Sequence, residues 1–163
     1  MKKIQLFSFL MVSSIIFYSF IKPKKSVKDE IPFPTDYRNW THIKTAINNP
    51  AFGSHAGFHH IYGNEKAVKG YKTGNFEDGS IIVFDVLESF KQQNDDVFEG
   101  KRKLIDIMVK DAKKYSETGG WGFQEFIYTD STERKILIPT KQQCFNCHAS
   151  KKEFDYVFSK LRD

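Results

Sequence analysis

Apolar residues are distributed in two different ways along this chain. From Ile4 to Ile21 they run without a single charged residue. From residue 40 onward they come in short bursts, separated by Gly, Pro, Asn and Asp. Short bursts rich in β-branched and aromatic residues read as strands. Residues 40 to 47, Phe58 to Tyr62, Ser80 to Leu87, Lys103 to Val109 and a stretch through Trp121, Phe123, Phe126 and Tyr128 are the predicted strands. Ser80 to Leu87 is apolar on both faces, through Ile81, Ile82, Val83, Phe84 and Val86, which implies burial on both sides over its first half.

Helical signals are few and short. Thr35 and Asp36 suit the cap of a helical turn running through Tyr37 and Trp40. Asn64 to Tyr71 reads as a helix with Asn64 as cap and Gly74 as stop, and Glu77-Asp78-Gly79 as a turn. Asp111 to Tyr115 and Phe154 to Leu161 are predicted short helices. Gln92 to Gly100 reads as a polar loop and residues 130 to 140 as irregular. The sum is an α+β domain, mainly β: an antiparallel β-sheet with short flanking helices.

The N-terminal segment changes the picture of charge. Lys2, Lys3, Lys22, Lys24 and Lys25 are the only charged residues in 1–25, and the whole chain carries a net charge of +5. The remainder is therefore neutral (5 − 5 = 0). The basic balance reports targeting, and no basic stripe for nucleic acid exists. Residues 1–25 read as a signal peptide or an N-terminal membrane anchor at residues 4–21, with a buried core helix as a third reading. No small-residue cleavage pattern follows the apolar run, where Tyr18, Phe20 and Ile21 are bulky. Residues 26–34 form a tether with Pro32 and Pro34, and 35–163 form the domain. The expected location is periplasmic or otherwise extracytoplasmic.

Only two cysteines are present, in the run Cys144-Phe145-Asn146-Cys147-His148. Two cysteines do not make a disulfide scaffold. A structural zinc site needs a second ligand pair, which only His59 and His60 could supply. A thioredoxin-like motif belongs near the start of a βαβ unit. C-x-x-C-H is the signature of covalent haem attachment. Two thiols at this spacing each add to one of two neighbouring vinyl groups, and the following imidazole is held under the iron. The motif predicts one haem c bound through Cys144 and Cys147, with His148 as iron ligand. Only fifteen residues follow His148 and none is Met, unlike small electron-carrier cytochromes. The glycine-broken strands of 58–129 do not suit a four-helix cytochrome.

With that motif in place, the chain resembles the cytochrome P-460 family over about residues 35 to 160. The matching stretches are Tyr37-Arg38-Asn39-Trp40, Gly57-Phe58-His59-His60-Ile61-Tyr62, Lys72 through Gly79, Val109-Lys110-Asp111 with Lys113, Gly120-Trp121-Gly122-Phe123, and CFNCH followed by Asp155, Val157 and Phe158. The resemblance implies a mostly antiparallel β domain, often a homodimer, holding one five-coordinate haem c. Some members oxidise hydroxylamine and carry a lysine bonded to a haem meso carbon. Their relatives, the cytochromes c-prime-beta, lack it and bind nitric oxide against a phenylalanine-lined face. The lysine position matches Phe84 here, and Lys72 lies on the wrong side of the turn.

The resemblance thus implies a nitric-oxide-binding or nitrogen-oxide-binding cytochrome, with Phe84 and His59 as distal pocket candidates. The alternatives are an oxidoreductase acting on hydroxylamine or a peroxide, and an electron-transfer cytochrome served by a redox partner protein. His59 and His60 point to opposite faces of one strand, so at most one faces the pocket. Met108, His42 and His55 are conceivable sixth ligands but suit structural or exposed roles better. Trp121 and Phe123 share a strand face and pack on haem or on core. Arg102 is either a propionate partner or a solvated charge. Gly74 and Gly79 are turn formers, since no phosphate-binding glycine pattern is present.

Overall fold

The computed structural model describes residues 31–47, 55–128, 134–137 and 141–162. The N-terminal segment, most of the tether and most of 129–140 lie outside the described residues. Six strands follow one another as an antiparallel meander in chain order: β1 (Thr41–Ile47), β2 (Phe58–Gly63), β3 (Ile81–Lys91), β4 (Val97–Lys110), β5 (Trp121–Tyr128) and β6 (Arg134–Leu137). Helix α1 (Glu65–Thr73) follows β2, and α2 (Lys141–His148) follows β6. A 3-10 turn at Tyr37–Asn39 precedes β1. Among the described residues, no helix is long and apolar enough to cross a membrane.

The predicted strands are all present, but two are longer than the apolar pattern suggests and a sixth is added. β3 and β4 pair out to Lys91 and Val97, so the expected polar loop at 92–100 shrinks to a turn at 92–96, and 97–100 are strand. Cross-strand backbone bonds carry that polar end without a core beneath it. β6 lies within the stretch read as irregular. Asp111 to Tyr115 forms turns, with a 3-10 helix only at Ser116–Thr118. The expected helix at Phe154–Leu161 is absent: a 3-10 segment ends at Phe154 and extended chain follows.

α1 forms as its caps dictate. Asn64 Oδ1 accepts from the Ala67 amide at 2.9 Å, and also from the Ile81 amide at 3.1 Å, which ties the helix start to β3. Gly74 ends the helix at φ 77°, a left-handed conformation that glycine takes without a Cβ penalty.

The sheet has two buried faces. One is packed by Ile31, Tyr37, Val83, Ile105, Ile107, Tyr115 and Phe126. Asp85 is buried at its centre and accepts from Tyr37 (2.7 Å), Arg38 (2.9 Å) and Arg102 (2.8 Å). The other face carries Ala67, Phe76, Ile82, Met108, Trp121, Phe123 and Val157, with Cys144 and Phe145 packed on it. α1, α2 and the C-terminal strap, residues 155–162, are tied to this second face.

Candidate functional site

The CxxCH run occupies α2 and ends it at His148. Beyond the 3-10 segment Ala149–Phe154, the chain reverses through Asp155 and Tyr156, both at positive φ (50° and 65°). The reversal brings the Tyr156 carbonyl to His148, whose Nδ1–H donates to it at 2.7 Å. That bond fixes the tautomer and leaves Nε2 without a proton and able to accept, the way a metal-binding histidine is usually oriented. Burial lowers the His148 pKa against the opposing effect of the Tyr156 bond, so the ring is neutral near pH 7.

A left-handed Tyr156 costs about 1 kcal/mol or more, so the reversal must be held by its surroundings. Lys110 Nζ pairs with Asp155 Oδ1 at 2.6 Å, the Phe76 amide donates to Asp155 Oδ2 at 3.2 Å, and Trp121 Nε1 donates to the Asp155 carbonyl at 2.8 Å. Gly119 makes room beside them: a Cβ there would lie 2.2 Å from the Tyr156 ring. Further along, Tyr71 and Ser159 share a hydrogen bond of 2.6 Å, and the Arg162 amide donates to the Ile43 carbonyl at 3.2 Å.

Between the strap and the sheet lies a cavity of about 350 Å³. His148 opens into it from below, flanked by Phe123 and Phe158 with ring centroids each 5.0 Å away. Ile61, Ile82, Phe84 and Met108 face it from the sheet. Its polar lining is His59, Lys44, Ser159 and Lys160 in addition to His148. His59 is fully buried, lies 5.0 Å from the Phe84 ring and donates through Nε2 to the His55 carbonyl. Burial lowers its pKa, so it is neutral, and its one N–H is committed to that carbonyl.

The thiols are unequal: Cys144 is half-buried and Cys147 exposed. Burial, and then the charges of Asp106 and Glu125, push the Cys144 thiol up to about 11, the opposite of an activated redox cysteine. Among the described residues, the one cluster suited to a metal ion is His55, Asp106 and Glu125, which includes neither cysteine. This disfavours the zinc reading of the motif. Burial and the neighbouring Glu125 push the Asp106 carboxyl upward, while the bond to His55 holds Glu125 down.

The structure thus brings Phe84, His59 and His148 to one cavity, as the sequence suggested, and adds Met108 to it. His60 sits on the opposite face, bonded to Thr45 (3.0 Å) and Glu99 (2.9 Å), and the His42 ring lies tilted beside it. His55 is engaged with the carboxylates at 3.3 and 3.5 Å. Trp121 is core, packed on Phe76, whereas Phe123 touches His148. Arg102 is not a propionate partner: it is tied to Asp85 on the far face of the sheet. Lys72 lies exposed on α1, outside the cavity lining.

Three features escaped the sequence reading. The Tyr156 carbonyl depends on a positive-φ pair that no residue type announces. Lys160 lies on a segment expected to be helix. Lys44 reaches the cavity because a bulge between His42 and Lys44 shifts the register of β1, and a shift of one residue exchanges the two faces.

No curated protein sequence matches this chain significantly. The profile of one family, Cytochrome P460, matches residues 34–159, which takes in the sheet, α2, the strap through Ser159 and every cavity residue except Lys160. The chain therefore belongs to the cytochrome P460 family, a family of haem-binding cytochromes.

Proposed function

We propose that this protein is an exported mono-haem c-type cytochrome that binds nitric oxide at an open distal site. The haem is held by thioethers to Cys144 and Cys147, with His148 Nε2 on the iron. The observation that carries the reading is the cavity itself. An oriented neutral imidazole shares its lining with the apolar side chains of Phe84, Ile61, Ile82 and Met108. When bound, haem would supply an iron able to take up a small gas. The chain's residues do the rest.

The Tyr156 carbonyl polarises His148 and keeps its ring from turning. Phe84 excludes water and supplies no amine to move a proton. His59 has no N–H left to donate to a bound ligand, because that hydrogen already goes to His55. An apolar, non-donating pocket favours a small neutral gas over a charged or proton-shedding substrate such as hydroxylamine. A second reading is electron transfer, favoured by Met108 in the cavity lining, where its sulfur could close the sixth position.

The same proposal includes export by residues 1–25, with or without retention as an anchor, and a homodimer. The exposed Phe90, Val97 and Phe98 at the β3–β4 end offer a dimer apolar surface. Light scattering of the purified domain tests the dimer.

The test of attachment is acidified-acetone extraction. Wild type should keep its haem in the protein pellet, and the Cys144→Ala/Cys147→Ala double variant should lose it. Haem retained in the variant pellet would remove the assignment. Nitric oxide should bind the ferrous protein, and turnover of hydroxylamine with an artificial acceptor should be negligible.

A further inference from the structure

We infer that Lys44 and Lys160 form the cationic seat of the haem propionates, and so fix the haem's in-plane orientation and help set its potential. This rests on the haem c reading above. The two vinyl groups of haem lie on neighbouring pyrroles, and the two propionates lie on the other two pyrroles. Thioethers at Cys144 and Cys147 therefore turn the carboxylates toward the far end of the cavity.

That far end can be identified. Cys144 packs on the face made by Trp121, Phe123 and Met108, and it feels the charges of Asp106 and Glu125, which are register partners on β4 and β5. The thiol end is thus the β4–β5 side. The cavity runs from Met108 on β4, past Phe84 on β3 and Ile61 on β2, to Lys44 and Ala46 on β1. Three strand spacings, about 14 Å, separate β4 from β1. Lys160 joins Lys44 at the β1 end, because the Arg162 amide two residues on is bonded to the Ile43 carbonyl.

Charge agrees with this placement. Among the described residues no carboxylate lines the cavity, and two lysines would meet two propionates. Glu125 at the thiol end, held in its charged form by the bond to His55, would repel a haem turned the other way. Both lysines are exposed at the mouth, where a propionate stays half in water. Among the described residues Lys160 Nζ has a ring contact, 5.4 Å from the Phe154 centroid, and this is weaker than an ion pair with a propionate.

The test is the midpoint potential of the full holoprotein. Cationic partners disfavour the ferric state, so the double variant Lys44→Gln/Lys160→Gln should lower the equilibrium constant for reduction about tenfold, which is 59 mV for a one-electron couple. Lys44→Arg/Lys160→Arg should stay near wild type, and the exposed hairpin control Lys101→Gln should not move. Covalent haem with an unchanged potential in the Gln pair would overturn the inference while leaving the attachment intact. A Lys44 peptide carrying porphyrin mass would also overturn it, since that amine would then be a cross-link. Haem lost from wild type on acid extraction would instead bring down the underlying reading, and this one with it.

Discussion

His59 and Asp85 show how a single buried polar residue is decided by its partners. His59 donates to the His55 carbonyl and is held neutral by burial. It lines the cavity with its N–H already committed. His59→Leu should therefore leave the nitric oxide affinity within about threefold, since no hydrogen bond worth ~1 kcal/mol is lost. A loss of a hundredfold in a titration would show that the ring does donate to the ligand. Asp85 is the opposite case. Burial would push its carboxyl up, but the bonds from Arg102, Tyr37 and Arg38 outweigh burial and hold it below the usual carboxylate range. A depressed folded pKa contributes stability above the unfolded value, and that stability is lost as pH falls through the folded value. Asp85→Asn should cost about 3 kcal/mol near pH 7. It should also flatten the fall in stability below about pH 4, where the unfolded carboxylate protonates. Urea melts at pH 7 and in acid check both, and an equally steep acid limb in the variant would contradict the assignment.

At the level of elements, the strap from Asp155 to Arg162 is what orients the helix-end His148, through the Tyr156 carbonyl. Its position is not carried by a helix or a strand of its own. It depends on the Lys110–Asp155 pair, the Trp121 indole, the Tyr71–Ser159 bond and the space at Gly119. Lys110 is nearly buried, so Asp155→Ala would leave an unpaired ammonium there, at a cost of about 3 kcal/mol. Gly119→Ala meets both the Tyr156 ring and a φ of 64°, and should cost about 2 kcal/mol. Thermal unfolding of each variant measures this, and a melt unchanged for both would mean that the strap is not held as described. α1 needed no such support to be read from sequence, since Asn64 and Gly74 mark its ends.

For the whole molecule, the strands were legible wherever a sheet face is buried, because burial imposes apolar residues at regular intervals. The pattern failed at the polar β3–β4 end and at β6. At the β3–β4 end, backbone pairing continues without a core to mark it. The run Cys144–His148 stood out because its spacing suits haem chemistry, and Phe84 and His59 were singled out by the family resemblance; His148, Phe84 and His59 line one cavity. Lys44, Lys160 and the Tyr156 carbonyl were not legible, since a bulge, a strap and two positive-φ residues placed them. Residues 1–25 carry a prediction of their own: a reporter that works only in the cytoplasm, fused after Asp163, should be inactive. Activity there would reverse the expected topology.

The most direct measurement is the optical spectrum of the purified ferrous protein before and after nitric oxide is added. An ordinary c-type spectrum of five-coordinate iron is expected, changing fully on addition of the gas. A red-shifted Soret band in the ferrous state would mean an amine bonded to the porphyrin. A six-coordinate low-spin spectrum that nitric oxide leaves unmoved would mean that Met108 or another side chain closes the distal site, and either result would contradict the open pocket behind Phe84.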